Sequence, residues 1–447
     1  MKTWQDLLAC GENEQDRIDF ILAAINEHKS TQAYRRALDA EMYYKHMNPT
    51  IMRAQKFIYD VVGQKVPDIW SANNKIPSNY YFYFVNQEVG TLLGNGVSFS
   101  DAETKNKLGG IVFDKNVFDL AIEAVNAGVS FGLFDNGSLR KFSLLEFKPL
   151  FDENTGALCA GIRFWQLEAN KPLYCTLYEP DGFTDYVRNK DEEMRVLNEK
   201  RSYIIVSRVS DATGEEIIAG WNYPSFPIVP FYNINKQSEL VGTQETIDAY
   251  DLMLSALVNN MDDANIIYWV IKNAGGMDSM DDQRFIEQLK TMHVTHTEGN
   301  ESIDAHTIDV PFEASEAGLS RLRNQLFDDF MALDTKNISN GATTATQIRA
   351  AYEPLNCKLN QFENCVTEFI LGILALAGIQ DEPTYTRDYL VNQQEMIQTI
   401  LLMNGTLPSD YIVSKLLEVM GDIDRKDDIL GEIDSEEYER FSSGGGE

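Results

Sequence analysis

Two long segments of this chain carry apolar residues at heptad spacing, and this feature restricts the possible fold more than any other. In residues 243–273 the repeat comprises Ile247, Tyr250, Leu254, Leu257, Met261, Ala264 and Tyr268. In residues 344–379 it comprises Ile348, Tyr352, Leu355, Leu359, Phe362, Val366, Phe369 and Ile373. Such a repeat places all these side chains on one narrow face of a helix. We therefore predict two long helices that each pack along a narrow seam.

The segment between these two helices contains a third helix and a polar break. Pro311 precedes residues 312–334, where apolar residues again share one helical face, and we predict a helix there. Its apolar positions are Leu319, Leu322, Leu326, Phe330 and Leu333. Residues 335–343 follow and are polar, so they do not continue the helix readily.

The last long helix should begin at a capping box and bend within its length. Thr344 with Gln347 has the spacing of a capping box, which starts a helix at this point. Pro354 lies inside the heptad repeat, where it removes one backbone hydrogen bond. We therefore predict a kinked helix that ends at Gly378.

The first part of the chain is predicted to be helical and then to become an antiparallel β unit. Apolar spacing indicates two helices within residues 17–48 and another at 80–93, capped by Asn79 or Ser78. From residue 129 to 234, short alternating runs are joined by turn residues, as at Asp135-Asn136-Gly137. The fold class is therefore α+β.

Two regions near the long helices are strongly acidic. The insert at residues 273–310 contains only Arg284 and Lys290 against eight acidic residues, and we predict a small lobe there. Residues 384–420 are predicted to form one or two short helices. The chain ends in Ser-Ser-Gly-Gly-Gly-Glu, and residues 438–447 are predicted to be a disordered acidic tail.

Composition limits the classes of function. The formal net charge is -31, from 38 Lys and Arg against 69 Asp and Glu, which disfavours a protein that grips nucleic acid through a broad basic surface. Five cysteines without a CxxC pair indicate unpaired thiols. The longest apolar run, 369–379, is too short to span a bilayer, so no membrane association is expected.

The sequence shows no catalytic constellation. P-loop and HExxH motifs are absent. His293, His296 and His306 lie near acidic residues and leave a metal hydrolase open as an alternative. However, alternation around His293 suggests a strand, in which residues three apart point to opposite faces. The acidic stripe opposite the 243–273 seam is interpreted as a solvated face.

The order of elements and three sequence segments resemble the portal proteins of tailed bacteriophages, of the long-tailed-phage (siphophage) type. Residues 74–99, NKIPSNYYFYFVNQEVGTLLGNGVSF, look like that family's N-terminal signature. Tyr43-Tyr44 with Asn48 and Ile51 is similar to its paired-tyrosine segment. Residues 227–255, PIVPFYNINKQSELVGTQETIDAYDLMLS, resemble its entry into the first stem helix.

The resemblance implies a portal-protein fold with an α/β wing, a long helical stem, a small α/β clip, a kinked long helix and an α-helical crown. The implied boundaries are wing 1–240, first stem helix 241–272, clip 273–310, second stem helix 311–334, tunnel loop 335–343, kinked helix 344–379 and crown 380–437. It also implies a dodecameric ring at one capsid vertex, through which double-stranded DNA passes without sequence-specific recognition.

The resemblance further implies partners and site residues, with no cofactor, no metal and no enzymatic activity. The partners would be the terminase large subunit, a head-completion or adaptor protein, and the major capsid and scaffolding proteins. The DNA-facing residues of the tunnel loop would be Lys336, Asn337, Asn340 and Gly341. Clip residues proposed for motor or adaptor docking are Met277, Asp278, Met280, Asp281, Asp282 and Phe285. The protein would reside in the virion, and in the host cytoplasm during assembly.

The negative charge fits this interpretation, because a conduit must let many phosphates pass without holding them. Each basic contact with a phosphate adds affinity through counterion release, whereas an acidic lining keeps the duplex mobile. An acidic oligomeric scaffold or adaptor without a DNA channel remains the other alternative.

Overall fold

The computed structural model describes residues 2–59, 63–68, 71–190, 192–210, 216–264, 268–272, 302–306, 312–336, 345–387, 397, 400–403 and 408–420. The helices are α1 (Trp4–Ala9), α2 (Glu14–Ser30), α3 (Gln32–Tyr44), α4 (Pro49–Arg53), α5 (Tyr80–Leu93), α6 (Ala102–Lys107), α7 (Ile111–Ala127), α8 (Gln244–Ala264), α9 (Phe312–Asp329), α10 (Ala345–Ala377) and α11 (Ser409–Met420). The strands are β1 (Phe57–Tyr59), β2 (Lys65–Pro67), β3 (Val97–Phe99), β4 (Val129–Asp135), β5 (Ser138–Ser143), β6 (Phe147–Phe151), β7 (Leu158–Trp165), β8 (Leu173–Glu179), β9 (Gly182–Arg188), β10 (Arg195–Arg201), β11 (Ile204–Ser210), β12 (Glu216–Trp221), β13 (Ile228–Tyr232), β14 (Tyr268–Lys272), β15 (Ser302–His306) and β16 (Pro383–Tyr385).

The helices predicted in the first part of the chain are confirmed, including the interruption between α2 and α3. Asn79 occupies the N-cap position of α5, as predicted, but its side chain makes no capping hydrogen bond. Ser78 instead donates its backbone N–H to the Asp251 carboxylate at 2.9 Å. The start of α5 is therefore tied to α8 rather than capped locally.

The predicted antiparallel β unit is confirmed as antiparallel, but it comprises three separate sheets. They have the strand orders β10-β9-β8-β7-β6, β11-β12 and β13-β4-β5. The β4–β5 turn has φ of 44° at Asn136 and 82° at Gly137, as a tight two-residue hairpin requires. Within this unit, β6, β9, β10 and β12 do not correspond to any of the alternating runs recognised in the sequence.

The first long helix is shorter than predicted. It ends at Ala264, and residues Tyr268–Lys272 form β14, which pairs antiparallel with β15. The local sequence, Tyr-Trp-Val-Ile-Lys, is rich in aromatic and β-branched residues, which favour strands. The heptad spacing that reaches Tyr268 therefore continued past the actual helix end by coincidence.

The polar stripe of α8 is not a solvated face, so that interpretation was wrong. Asp251, Ser255 and Asn259 are buried, with at most 6% of each residue exposed. Their side chains accept the backbone N–H groups of Ser78, Ile76 and Asn74, at 2.9, 3.0 and 2.6 Å. Burial of polar side chains is tolerated here because each has a hydrogen-bond partner. The stripe binds residues 74–78 of the same chain.

The last long helix, α10, crosses the main hydrophobic core. Every heptad position from Tyr352 to Ile373 is buried, and these residues pack with α5, α7 and the β13-β4-β5 sheet. Phe369 stacks on Phe231 with ring centroids 4.9 Å apart, and a Cβ at Gly132 would lie only 2.6 Å from the Phe369 ring. The apolar face of α10 is therefore buried within one subunit. Its heptad repeat is not evidence that subunits associate through this helix.

The segment after α10 returns to the first part of the chain. Gly378, with φ of 68°, follows the helix, and β16 then pairs antiparallel with β3. The prediction of helix from residue 384 is therefore wrong at its start, whereas α11 confirms a helix later in that range. The predicted tail, 438–447, lies outside the described residues.

Candidate functional site

The helix predicted over 312–334 ends earlier than expected, at Asp329, and a sharp chain reversal follows it before the polar break. Ala332 donates its N–H to the Phe327 carbonyl at 2.9 Å, and Met331 donates to the Asp328 carbonyl at 3.1 Å. Met331 has φ of 52°, which places it in the left-handed region. These bonds form a Schellman-type helix end, although methionine instead of glycine occupies the left-handed position. Surrounding contacts must hold this conformation.

The side-chain amide of Gln87 binds both backbone groups of Leu333, which lies between the chain reversal and the polar break. Leu333 donates its N–H to Gln87 Oε1 at 2.9 Å, and Gln87 Nε2 donates to the Leu333 carbonyl at 3.0 Å. Leu333 itself is buried in the main core. Because one amide satisfies both backbone groups, α5 fixes the position of this residue relative to the main core.

A bidentate ion pair fixes the residue that follows. Arg323 donates to both carboxylate oxygens of Asp334, at 2.7 and 2.8 Å, and its guanidinium lies 4.6 Å from the Phe327 ring centre. Asp334 also accepts the backbone N–H of Lys336 at 3.1 Å. Two parallel charge-assisted bonds specify geometry as well as energy, so α9 also aligns the chain that enters the break.

Lys358 on α10 connects this chain end to the helix beyond the break. Its Nζ donates to the Phe330 carbonyl at 3.2 Å, lies 2.9 Å from Glu88 Oε2, and forms an ion pair with Glu239. The Lys358 side chain is 7% exposed and that of Glu88 is 1% exposed. One buried ammonium thus joins the end of α9, the α5 helix and the loop before α8.

The charges of this cluster are tightly coupled. Burial disfavours the charged form of Lys358, but the neighbouring carboxylates outweigh it and raise the lysine pKa. Burial also raises the pKa of Glu88 to about 7, against the attraction of Lys358 and with the repulsion of Glu239. The ammonium is therefore the charge that favours the ionised state of Glu88.

The predicted site residues fall into two groups. Lys336 is exposed, at the end of the anchored segment, and Pro354 lies on the exposed side of α10, within one continuous helix. The remaining loop residues, Asn337, Asn340 and Gly341, lie outside the described residues, as do the clip residues, which are Met277, Asp278, Met280, Asp281, Asp282 and Phe285. The bend at Pro354 and the roles of all these residues stay predictions.

Sequence reasoning missed the residues that anchor the break. Gln87, Arg323 and Lys358 were not singled out, because each acts on a segment distant in sequence. One signal was available: Lys358 directly precedes Leu359, a position of the apolar heptad repeat, and its aliphatic stem can lie along the core while its ammonium reaches a polar partner.

The described residues contain no group of three or more side chains that could hold a metal ion. His306 lies in β15, whereas His293 and His296 lie outside the described residues. All five cysteines are free thiols, as predicted. Among the described helices, none is long and apolar enough to cross a membrane.

Comparison with known proteins defines the class. The sequence model of the family described as "Phage portal protein, SPP1 Gp6-like" matches residues 24–439. The chain therefore belongs to the SPP1 Gp6-like family of phage portal proteins, and it functions as a phage portal, the head-tail connector of the particle. The resemblance to siphophage portal proteins is confirmed, and the alternative of an unrelated scaffold is wrong.

Two individual portal proteins agree with this assignment. The portal protein of Clostridium phage phiCD119 is 25% identical over 422 residues, which cover 86% of this chain and 90% of the relative. The portal protein of Bacillus phage SPP1 is 24% identical over 408 residues, covering 83% of this chain and 78% of the relative. Among solved structures, the neck of a native GTA particle matches with a TM-score of 0.43 and 12% identity, over 76% of this chain and 90% of that chain.

Proposed function

We propose that this portal protein assembles as a dodecameric ring at one capsid vertex, through which double-stranded DNA is packaged and later ejected. Residues 335–343 form the tunnel loop that faces the DNA, and residues 273–310 form the clip that faces the packaging motor. The protein acts as a structural component and not as an enzyme. Its partners are the terminase large subunit, a head-completion or adaptor protein, and the major capsid and scaffolding proteins.

The observation that carries the loop assignment is the anchoring of the residues that lead directly into the loop. Phe330, Leu333 and Asp334 are each held by a side chain from a different helix, whereas Lys336, two residues on, is exposed. A loop that contacts moving DNA must be free at its tip and fixed at its base. Force on the tip would then be transferred to α5, α9 and α10.

The loop assignment can be tested by deleting residues 336–341. Purified deletion protein should still form rings under negative-stain microscopy, because the anchors lie outside the deletion. Packaged DNA should be reduced or poorly retained. A control that replaces the same residues with an equally long Gly-Ser segment separates the need for loop length from the need for these side chains. Normal packaging by the deletion protein would remove the assignment.

The clip assignment rests on charge and on side-chain chemistry. Asp278, Asp281 and Asp282 lie beside Met277, Met280 and Phe285 in the sequence. Repeated around a ring, they would form an acidic collar with adaptable methionine contacts, which suits a partner that must bind and later leave.

The docking role can be tested by replacing Asp278, Asp281 and Asp282 together with Asn. Motor binding should become weaker and less sensitive to salt, while rings still form. A matched control neutralises Glu12, Glu14 and Asp16, which are exposed near the N-terminus, and should bind the motor as the wild type does. Equal binding by both variants would leave the aspartates as an ordinary solvated charge cluster.

A further inference from the structure

A small two-stranded β ribbon lies next to the stem helix α8. In this ribbon β1 pairs antiparallel with β2, with Phe57 opposite Pro67, Ile58 opposite Val66 and Tyr59 opposite Lys65. Because side chains alternate along a strand, Phe57, Tyr59, Lys65 and Pro67 share one face. We call this set the open face of the ribbon.

The open face has no cover within the described part of the chain. All four of its residues are exposed, with 48% of Phe57 and 76% of Tyr59 accessible. On the opposite face Val66 is half-buried and Ile58 is 38% exposed, so that face is less exposed than the open face. An isolated two-stranded ribbon is only marginally stable in water, and exposed aromatic residues on it indicate a surface that another molecule covers.

Apolar surface continues from the base of the ribbon onto α8. A groove of about 200 Å³ lies between Gln55 and Lys56, which precede β1, and Leu252 and Ala256 on α8. Leu252 is 42% exposed, and Met52 nearby in the sequence is 51% exposed. The ribbon and the adjoining side of the stem helix therefore form one extended surface for docking.

The charge around this surface differs from that of the whole chain. Residues 51–75 contain four basic residues against Asp60 and Asp68, whereas the chain carries a net charge of -31. The basic residues are Arg53, Lys56, Lys65 and Lys75. A second copy of this chain is a strongly acidic body, so it is electrostatically attracted to this region.

DNA is the other polyanion that a basic region could attract, but the side chains favour a protein partner. The Lys65 ammonium lies 4.2 Å from the Phe57 ring centre, and Lys75 Nζ donates to the Met52 carbonyl at 2.5 Å. Two of the cations are thus engaged within the subunit, and the most prominent exposed groups are the rings of Phe57 and Tyr59. Aromatic residues of this kind are typical anchors of protein interfaces.

We infer that the open face of the β1–β2 ribbon docks onto the neighbouring copy of this chain in the ring. The contact is heterologous: the ribbon of one subunit meets a different surface of the next, as a closed ring requires. This inference rests on the proposed ring. It adds the surface through which successive subunits join at the stem.

The test replaces Phe57 and Tyr59 together with Ser. Both residues are exposed in the subunit, so the monomer should retain the circular dichroism spectrum of the wild type. Subunit association should weaken at least about a hundredfold, since each interface anchor contributes about tenfold or more. Analytical ultracentrifugation should show monomers at concentrations where wild-type protein forms rings. The matched control, Ile111→Ser with Leu167→Ser, changes two equally apolar residues that are 84% and 85% exposed and should leave rings intact.

A mixing experiment tests the heterologous geometry. The Ser variant lacks the ribbon contact but keeps the surface that accepts a neighbour's ribbon, so it should add to one end of a growing arc and stop it. Mixtures with wild-type protein should therefore contain open arcs under negative-stain microscopy. A second variant, Arg53→Glu with Lys65→Glu, keeps both aromatic rings and should weaken assembly most at low salt.

The outcomes separate this inference from the proposed function. If wild-type protein forms no rings under any condition, the ring proposal fails and the inference fails with it. If wild-type and Ser-variant rings are equally stable, only the inference is overturned. Intact variant rings with impaired DNA packaging would also overturn it, because the ribbon would then face DNA.

Discussion

Replacing Lys358 with Met should destabilise the folded chain by about 3–5 kcal/mol, the usual cost of removing one partner from a buried ion pair. The structure supports a value in this range because three groups lose their partner at once. Glu88 is 1% exposed and Glu239 is 17% exposed, so neither carboxylate can be fully hydrated without local opening. The Phe330 carbonyl loses its donor as well.

The loss should depend on pH in a defined direction. Burial already raises the pKa of Glu88 to about 7 with Lys358 present, and removing the ammonium raises it further. A carboxyl whose pKa is higher in the folded state binds more protons there, so stability falls as the pH rises above its unfolded value. The effect of Lys358→Met should therefore be larger at pH 8 than at pH 6.

A double-mutant cycle provides the assay. Urea unfolding followed by circular dichroism, at one fixed protein concentration, should show that Glu88→Gln recovers at least about 2 kcal/mol of the Lys358→Met loss. Lys115→Met, a change of the same kind at an exposed lysine, should stay within about 0.5 kcal/mol of the wild type. A Lys358→Met loss below about 1 kcal/mol, or one that Glu88→Gln does not alter, would refute the view of Lys358 as a buried electrostatic junction.

Three further changes probe other buried polar groups. Burial lowers the pKa of His28 from 6.5 to about 4, so folding stability should fall as the pH drops below about 6.5. Between pH 7.5 and 5.5, the unfolding free energy of the wild type should fall by about 1.4 kcal/mol more than that of His28→Gln, as measured by denaturant titration. Lys148 is fully buried and its ammonium has no hydrogen-bond partner. Lys148→Met should therefore raise the unfolding free energy by about 1–3 kcal/mol. Because burial lowers the pKa of Lys148, this gain in stability should be larger at pH 7 than at pH 10. Asp251→Asn should cost about 1–3 kcal/mol, because an amide cannot accept from both Asn48 and Ser78 without turning a donor toward one of them; amide hydrogen exchange at Ser78 should accelerate.

Local patterns predicted those elements whose stability is decided locally or along one face. The α10 seam could be predicted because its heptad residues all enter one core, and the β4–β5 turn because Asn136-Gly137 permits positive φ. The end of α8 could not be placed, because strand-forming residues after Ala264 continue the helical spacing by coincidence. Lys358 and Gln87 could not be found, since their partners are set by tertiary packing and not by sequence distance.

The buried stripe of α8 shows why a polar face can be misinterpreted as solvated. Acceptors at 251, 255 and 259 recur every four residues, which is about 6.0 Å along a helix. An extended chain presents N–H groups to one side every two residues, about 6.6 Å apart. The spacing of the acceptors and the spacing of the N–H groups match closely enough for the bonds to Ser78, Ile76 and Asn74. The difference between the two spacings adds up with each further acceptor and N–H pair.

Side-chain length was the signal available in the sequence. Asp, Ser and Asn are short and reach nearby backbone groups, whereas the exposed faces of helices more often carry long Glu and Lys. A stripe of short polar residues at spacing four therefore indicates an extended backbone lying along the helix.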